Sequence, residues 1–281
     1  MKLLFTRFAI PGTFLFLFGS CSVQDHLVPA TSQQCKIADM VYQSSTIDLK
    51  NPKENLEIDG QKIEIGIYAH EQYEYDDQGR VTKVSYLPTP TQLKDVRTDR
   101  YEYPANQIVH SITYPNGSES KSTATVNEHG NTVNPTSSYQ YEYNSDGFIV
   151  KSTFPYSWNK QSFGDGVAEY TIENGNIVKY TTYQPQSGLK STTLYEYDLS
   201  KPNLPSIYWF AVKKSKNLLT RMTLYYGSSP ANGSFLFEYH YTFDSNGQVK
   251  RQVEVDYTYA ANGSKSRTSV QVIDYTINCK E

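Results

Sequence analysis

No surplus of basic residues marks this chain. Lys and Arg number 26 against 29 Asp and Glu, a formal net charge of −3, so no basic patch points to nucleic acid. Long apolar runs are missing too. The stretch Phe8–Phe18 is broken at Pro11-Gly12 and is too short for a convincing transmembrane helix. No convincing length of sequence carries the 3.6-residue period of an amphipathic helix. The motifs of common chemistries are also absent: there is no Gly-x-Ser-x-Gly, His-Glu-x-x-His, phosphate loop or Cys-x-x-Cys. The histidines His26, His70, His110, His129 and His240 are scattered, and His70 and Glu71, adjacent on a strand, point to opposite faces. These absences predict a non-enzyme that holds no cofactor and no metal. Asp76-Asp77-Gln78-Gly79 and Asp244-Ser245-Asn246-Gly247 resemble half a calcium loop but lack the downstream Glu, which leaves a plain turn.

What the chain has instead is tyrosine, 25 residues of it, joined by Thr and Val in strand-forming runs. The tyrosines recur in a unit: a Tyr-x-Tyr strand end, a short Asp/Asn-x-x-Gly turn, then a β-branched restart. Tyr73–Val81, Tyr141–Ile149 and Tyr241–Val249 carry it most cleanly. Asp76, Asn144 and Asp244 open the turn by bonding a side-chain oxygen to backbone two residues on. Gly79, Gly147 and Gly247 take the left-handed position that restarts the next strand. Degenerate copies begin at Tyr101, Asn127 and Tyr170. Asn116-Gly117, Asn232-Gly233 and Asn262-Gly263 are hairpin signals of their own.

The unit is a β-hairpin, so the expected fold is all-β: one large antiparallel meander of about 14–16 strands, from ordinary strand lengths and turn spacing. So many strands cannot stay flat and open; closure into a barrel, or a strongly curved sheet, is expected. Alternation supports half-buried faces. Phe237, Tyr239, Tyr241 and Phe243 share one side of their strand. Val253, Val255, Tyr257 and Tyr259 lie together against Gln252, Glu254 and Asp256.

The ends speak of export. Residues 1–20, with Lys2, Arg7 and the apolar stretch, read as a signal peptide. Leu17-Phe18-Gly19-Ser20-Cys21 resembles a bacterial lipobox, which makes Cys21 the expected lipidation site; an ordinary secretory signal with an incidental Cys is the alternative. Residues 21–34 read as a tether, and 35–281 as a single all-β domain. If Cys21 carries lipid, Cys35 and Cys279 remain, in an oxidising compartment. A disulfide between them is expected, with the first and last strands as neighbours; two unpaired buried thiols are the alternative.

The Tyr-x-Tyr-Asp-x-x-Gly-Arg-Val motif at Tyr73–Val81 resembles the YD repeats of bacterial surface and toxin-encasing proteins. The ordered set, lipobox, Cys35, hairpins, Tyr195–Pro205, Lys216-Asn217-Leu218-Leu219 and Cys279, resembles a family of small bacterial lipoproteins of unknown function. The resemblance spans roughly residues 35–279 and implies a porin-like fold. It carries no catalytic or binding residues. Charged residues interrupt both faces of most strands, so the barrel is expected in water, tethered to a membrane rather than spanning it.

The functional expectation is a non-catalytic binding or scaffold module on the envelope of a Gram-negative bacterium, lipid-anchored, in the outer membrane. Its partner is a glycan or an envelope protein. A purely structural or assembly role is the alternative, and an enzyme of unrecognised type the third reading. Trp158, with Tyr156, lies in a Pro/Tyr/Ser/Asn stretch that reads as a loop and is the expected ligand contact. Trp209 reads as packing.

Overall fold

The computed structural model describes residues 35–46, 54–90, 96–127, 132–133, 139–158, 161–184, 188–208, 213–227, 234–260 and 262–279. The stretches expected as signal peptide and tether, with Cys21, lie outside them, as does Trp209. The described residues form strands joined by turns: β1 (Cys35–Ser44), β2 (Glu54–Ile58), β3 (Gln61–Tyr75), β4 (Val81–Tyr86), β5 (Arg97–Glu102), β6 (Gln107–Thr113), β7 (Glu119–Val126), β8 (Thr132–Val133), β9 (Gln140–Tyr143), β10 (Ile149–Trp158), β11 (Gln161–Glu173), β12 (Asn176–Gln184), β13 (Leu189–Pro202), β14 (Asn217–Tyr226), β15 (Ser234–Phe243), β16 (Val249–Tyr259) and β17 (Lys265–Cys279). These 17 strands exceed the expected number. β8 has only two residues. The β2–β3 hairpin turns on Asp59-Gly60, both at positive φ (53° and 70°), the two-residue geometry that Asp-Gly favours.

Every pairing is antiparallel. β3 to β8 pair in succession, and so do β9 to β17. β1 joins the two runs by pairing with β17 on one side and β3 on the other. The first and last strands are therefore neighbours, and Cys35 is bonded to Cys279 at the end of their ladder. Among the described residues no backbone pairing joins β8 to β9, so the sheet is strongly curved rather than closed. Among the described residues, β8 and β9 each have one backbone-paired neighbour, in mid-chain.

The recurrent turn is built as its residues dictate. Asp76 Oδ1 accepts from the Gln78 and Arg80 amides at 3.0 and 2.9 Å, and Gly79 N donates to Asp76 O at 3.0 Å. Asn144 and Asp244 repeat both side-chain bonds. Gly79 and Gly147 stand at φ +83° and +80°, where a β-branched residue is strained.

One face of the sheet is concave. Tyr208, in the segment that follows β13, packs against Tyr101 of β5 with ring centroids 5.7 Å apart. Those strands are far apart in sheet order, so the sheet has bent round to bring them together. Leu204 and Ile207 of the same segment pack on an interior cluster with Met40, Tyr73, Val84, Leu218 and Tyr275. A satisfied amide pair anchors the segment: Asn176 Nδ2 donates to Asn217 Oδ1 at 3.0 Å, and Asn217 Nδ2 donates to the carbonyls of Leu199 and Lys201 at 3.1 and 3.0 Å.

On the convex side, the β2–β3 hairpin lies over β15–β17. Leu56, Ile58, Ile63 and Ile65 cover Leu236, Val255, Val270 and Val272, each buried aliphatic chain contributing about 1.5–3 kcal/mol relative to exposure. Arg251 fastens the hairpin. Its guanidinium donates to Glu54 at 2.7 and 3.0 Å and to Asp274 at 2.5 and 2.9 Å. This explains why Val253 and Val255 are apolar on a strand whose other side, Gln252, Glu254 and Asp256, also faces inward.

Candidate functional site

The concave face can be followed strand by strand through the register, because residues directly opposite share a face. Ser122 faces His110, which faces Tyr101. Arg97 faces Tyr86, which faces Glu71, then Met40 and Tyr275. On the other arm Asp256 faces Phe237, then Met222 and Tyr195. Tyr180 faces Tyr170, and Ala168 faces Ser152 and then Tyr141. Tyr-x-Tyr repeats put both rings on one side of a strand, which is why this face is paved with tyrosine.

Three groupings stand out. The first is a row of rings beside the β9 edge. Tyr139 and Tyr141 are 48% and 40% exposed. Their centroids are 6.3 Å apart with planes inclined by 20°, and Tyr139 lies 5.9 Å from Phe154 at 18°. Phe154 lies across Gly166, where a Cβ would approach its ring to 2.6 Å, so only glycine leaves room for that ring. Tyr170 and Tyr180 continue the row, 4.8 Å apart, with burial pushing the Tyr170 hydroxyl up to about 12.

The second grouping is an open groove of about 350 Å³ on β5–β8, bounded by Tyr101, Ile108, His110, Ser122, Thr132 and Tyr208. Asp99, only 3% exposed, lies behind it. The Asp99 carboxylate is 3.1 Å from His110 Nε2 and 3.2 Å from Arg97 Nε. The Tyr101 and His110 rings are parallel, 4.7 Å apart and inclined by 4°. Arg97 stacks on Tyr86 at 4.2 Å.

The third is a set of inward carboxyls. Glu71 accepts from Tyr42 at 3.1 Å and from Tyr73; burial first, and then Glu71 itself, push both hydroxyls well above the ordinary phenol range. Glu254 and Asp256 share the concave face of β16, and Ser269 donates to Asp256. Burial and the neighbouring Asp256 push the Glu254 carboxyl up to about 7, against a hydrogen bond from Tyr239. Among the described residues no group of three or more His, Cys, Asp or Glu could hold a metal ion.

The residues expected from sequence are placed as follows. Trp158 is not in a loop: it is the last residue of β10, and Tyr156 lies in the same strand. Pro155 suggested a break, but the strand continues through it, and Pro sits where the β10–β11 register shifts, a position that needs no ladder donor. The side chains of Tyr156 and Trp158 lie outside the described residues. His70 and Glu71 do point apart: His70 meets Asp39 at 2.9 Å, on the opposite face from Glu71. The Tyr139–Tyr141 row and the His110 groove were not singled out. The period-2 run Tyr139-Gln140-Tyr141-Glu142-Tyr143 was a signal for the row, obscured by counting Tyr-x-Tyr only as a strand end.

No family model matches the chain, and no curated protein matches it. Among solved structures it is similar to a porin-like protein from Bacteroides uniformis, at 18% sequence identity and a TM-score of 0.51, over 86% of this chain and 98% of that one. At that identity the likeness is one of fold: a large, curved, antiparallel porin-like sheet.

Proposed function

We propose that this protein is a cell-envelope lipoprotein, anchored through Cys21 to the outer membrane of a Gram-negative bacterium, whose curved sheet is a non-catalytic binding module for a carbohydrate chain. The observation that carries the reading is the row Tyr139, Tyr141 and Phe154. Near-parallel, partly exposed rings beside hydroxyl groups suit sugar rings, which have an apolar face and a polar edge. The rings stand on paired strands, so little ordering is needed on binding.

The convex face supports a sheet standing in water. Cross-strand ion pairs join Lys83 to Glu74 at 2.7 Å, Lys151 to Glu142 at 2.9 Å and Lys265 to Glu238 at 3.6 Å, on the face a spanning barrel would give to lipid at a cost of a few kcal/mol per charge. The porin-like fold suits an envelope protein. An assembly role has one observation in its favour, a rim patch with Tyr226 and Leu189 exposed by 60% and 58%.

The test is calorimetric titration of the purified protein with neutral oligosaccharides, repeated on Tyr139→Ala/Tyr141→Ala. The reading expects binding that the double variant weakens at least about tenfold, since stacking on an aromatic ring is worth on the order of 1 kcal/mol or more per ring. Oligosaccharide binding untouched by that variant removes the row from the site. Self-association that Tyr226→Ser abolishes, without sugar binding, favours assembly.

A further inference from the structure

We propose that the groove beside His110 holds the terminal ring of the same carbohydrate chain, so that the protein recognises chain ends rather than chain interiors. This rests on the carbohydrate reading above. At about 350 Å³ the groove is at the small end of ligand sites. Its floor is apolar at Ile108, two walls are the rings of Tyr101 and Tyr208, and Ser122 and Thr132 supply hydroxyls. None of the described residues lining it is a carboxylate, lysine or arginine. Arg97, nearby, is engaged with Asp99 and stacked on Tyr86. The lining therefore suits a neutral hydroxylated ring rather than an anion.

The polar contact is prearranged. With His110 neutral, the buried Asp99 carboxylate takes the Nε2–H, which leaves Nδ1 as an acceptor for a ligand hydroxyl. Tyr101, stacked flat on the imidazole, fixes its plane. The groove is blind on one side. Tyr208 tilts against Tyr101 at 58°, and its segment packs into the interior cluster through Leu204 and Ile207, closing the way along the concave face toward β4. The other side runs through β7 and β8. Asn127, just after β7, donates to Tyr143 of β9 at 3.1 Å, which brings the strand that carries Tyr141 alongside. A chain lying on the row enters the groove from the β8 side and ends at Tyr208.

The experiment titrates the purified protein with oligosaccharides of one to six residues, either free or O-methylated on one terminal ring at a time, comparing wild type with Ser122→Phe, which fills the groove from an exposed position, and with His110→Gln. Methylation of one end should weaken wild-type binding at least about tenfold, as should Ser122→Phe with the free chains. The two effects should not add, because they report one contact. Tyr139→Ala/Tyr141→Ala should instead weaken free and methylated chains alike. If that pair loses binding while Ser122→Phe, His110→Gln and end-methylation change nothing, chain-end recognition is wrong and the carbohydrate reading stands. If no oligosaccharide binds wild type, both fall.

Discussion

The sheet has two seams, one where the first and last described strands meet and one in mid-chain, built in opposite ways. At the first, β1 and β17 pair from Cys35↔Cys279 to Ser44↔Gln271, and the disulfide ties off the ladder. At the second, β8 and β9 have two and four residues, and the link described between the sides is the Asn127–Tyr143 side-chain bond. The difference teaches that the covalent clasp does not mark the opening of this sheet. Joining the chain's ends moves its edges to the middle. Very short strands blunt those edges against unwanted pairing. Among the described residues β9 has one backbone-paired neighbour, β10, and Tyr139 and Tyr141 stay 48% and 40% exposed.

The largest expected effect breaks the strong seam. Cys35→Ser/Cys279→Ser should lower stability by about 5 kcal/mol in the chain-entropy model, less if the reduced chain stays compact. Denaturant titration of the variant, set against wild type with and without reductant, checks it. Next come the turns beside each seam. Gly79→Val and Gly147→Val should each cost about 1–3 kcal/mol, because both force a β-branched residue to positive φ. Gly79→Val should cost more, since its Cβ would lie 3.3 Å from Lys36 Cε on β1, whereas the space around Gly147 is open. Equal melting of both variants and wild type would refute the turn assignment.

Glu254 offers a pH handle near the terminal seam. Its folded carboxyl titrates at about 7 against an ordinary 4.5, so the folded state binds the proton more tightly than the unfolded chain. Stability should therefore be unaffected by this group well below pH 4.5, fall as pH rises from 4.5 to 7, and stay lowered above that. Glu254→Gln should remove the slope and gain about 1–2 kcal/mol at pH 8, discounted for partial solvent exposure, with no gain at pH 4. Thermal melts across that range check it. The smallest effect is at the weak seam: Asn127→Ala should cost about 1 kcal/mol or less in global stability while speeding amide exchange in β9.

Much of this fold is legible in the residues. The Asp/Asn-x-x-Gly turns fixed hairpin positions because their bonds are local: a side-chain oxygen, two amides and one glycine settle each. The terminal pairing followed from the expectation of export, which left Cys35 and Cys279 to pair. What was hidden depends on long-range geometry. The inward turn of Glu254 and Asp256 looked like an ordinary polar face, because the hairpin that covers Val253 and Val255 comes from residues 54–65, far away in sequence. The His110 groove needs Tyr208 brought over from beyond β13, which no local pattern announces. Pro155 misled in the other direction: read as punctuation, it sits at a register shift inside β10, so Trp158 ends a strand instead of tipping a loop.

The central claim is that the opening of the sheet lies between β8 and β9, beside the aromatic row, and not between the chain's ends. Hydrogen–deuterium exchange of the intact protein, read peptide by peptide, tests it most directly. The account predicts that amides of β9, Gln140–Tyr143, exchange at least a hundredfold faster than those of β17 between Gln271 and Asp274, because local opening of an edge costs far less than opening a ladder paired on both sides. Protection of β9 equal to that of β17 would mean that the mid-chain seam is closed by a full backbone ladder, and would contradict it.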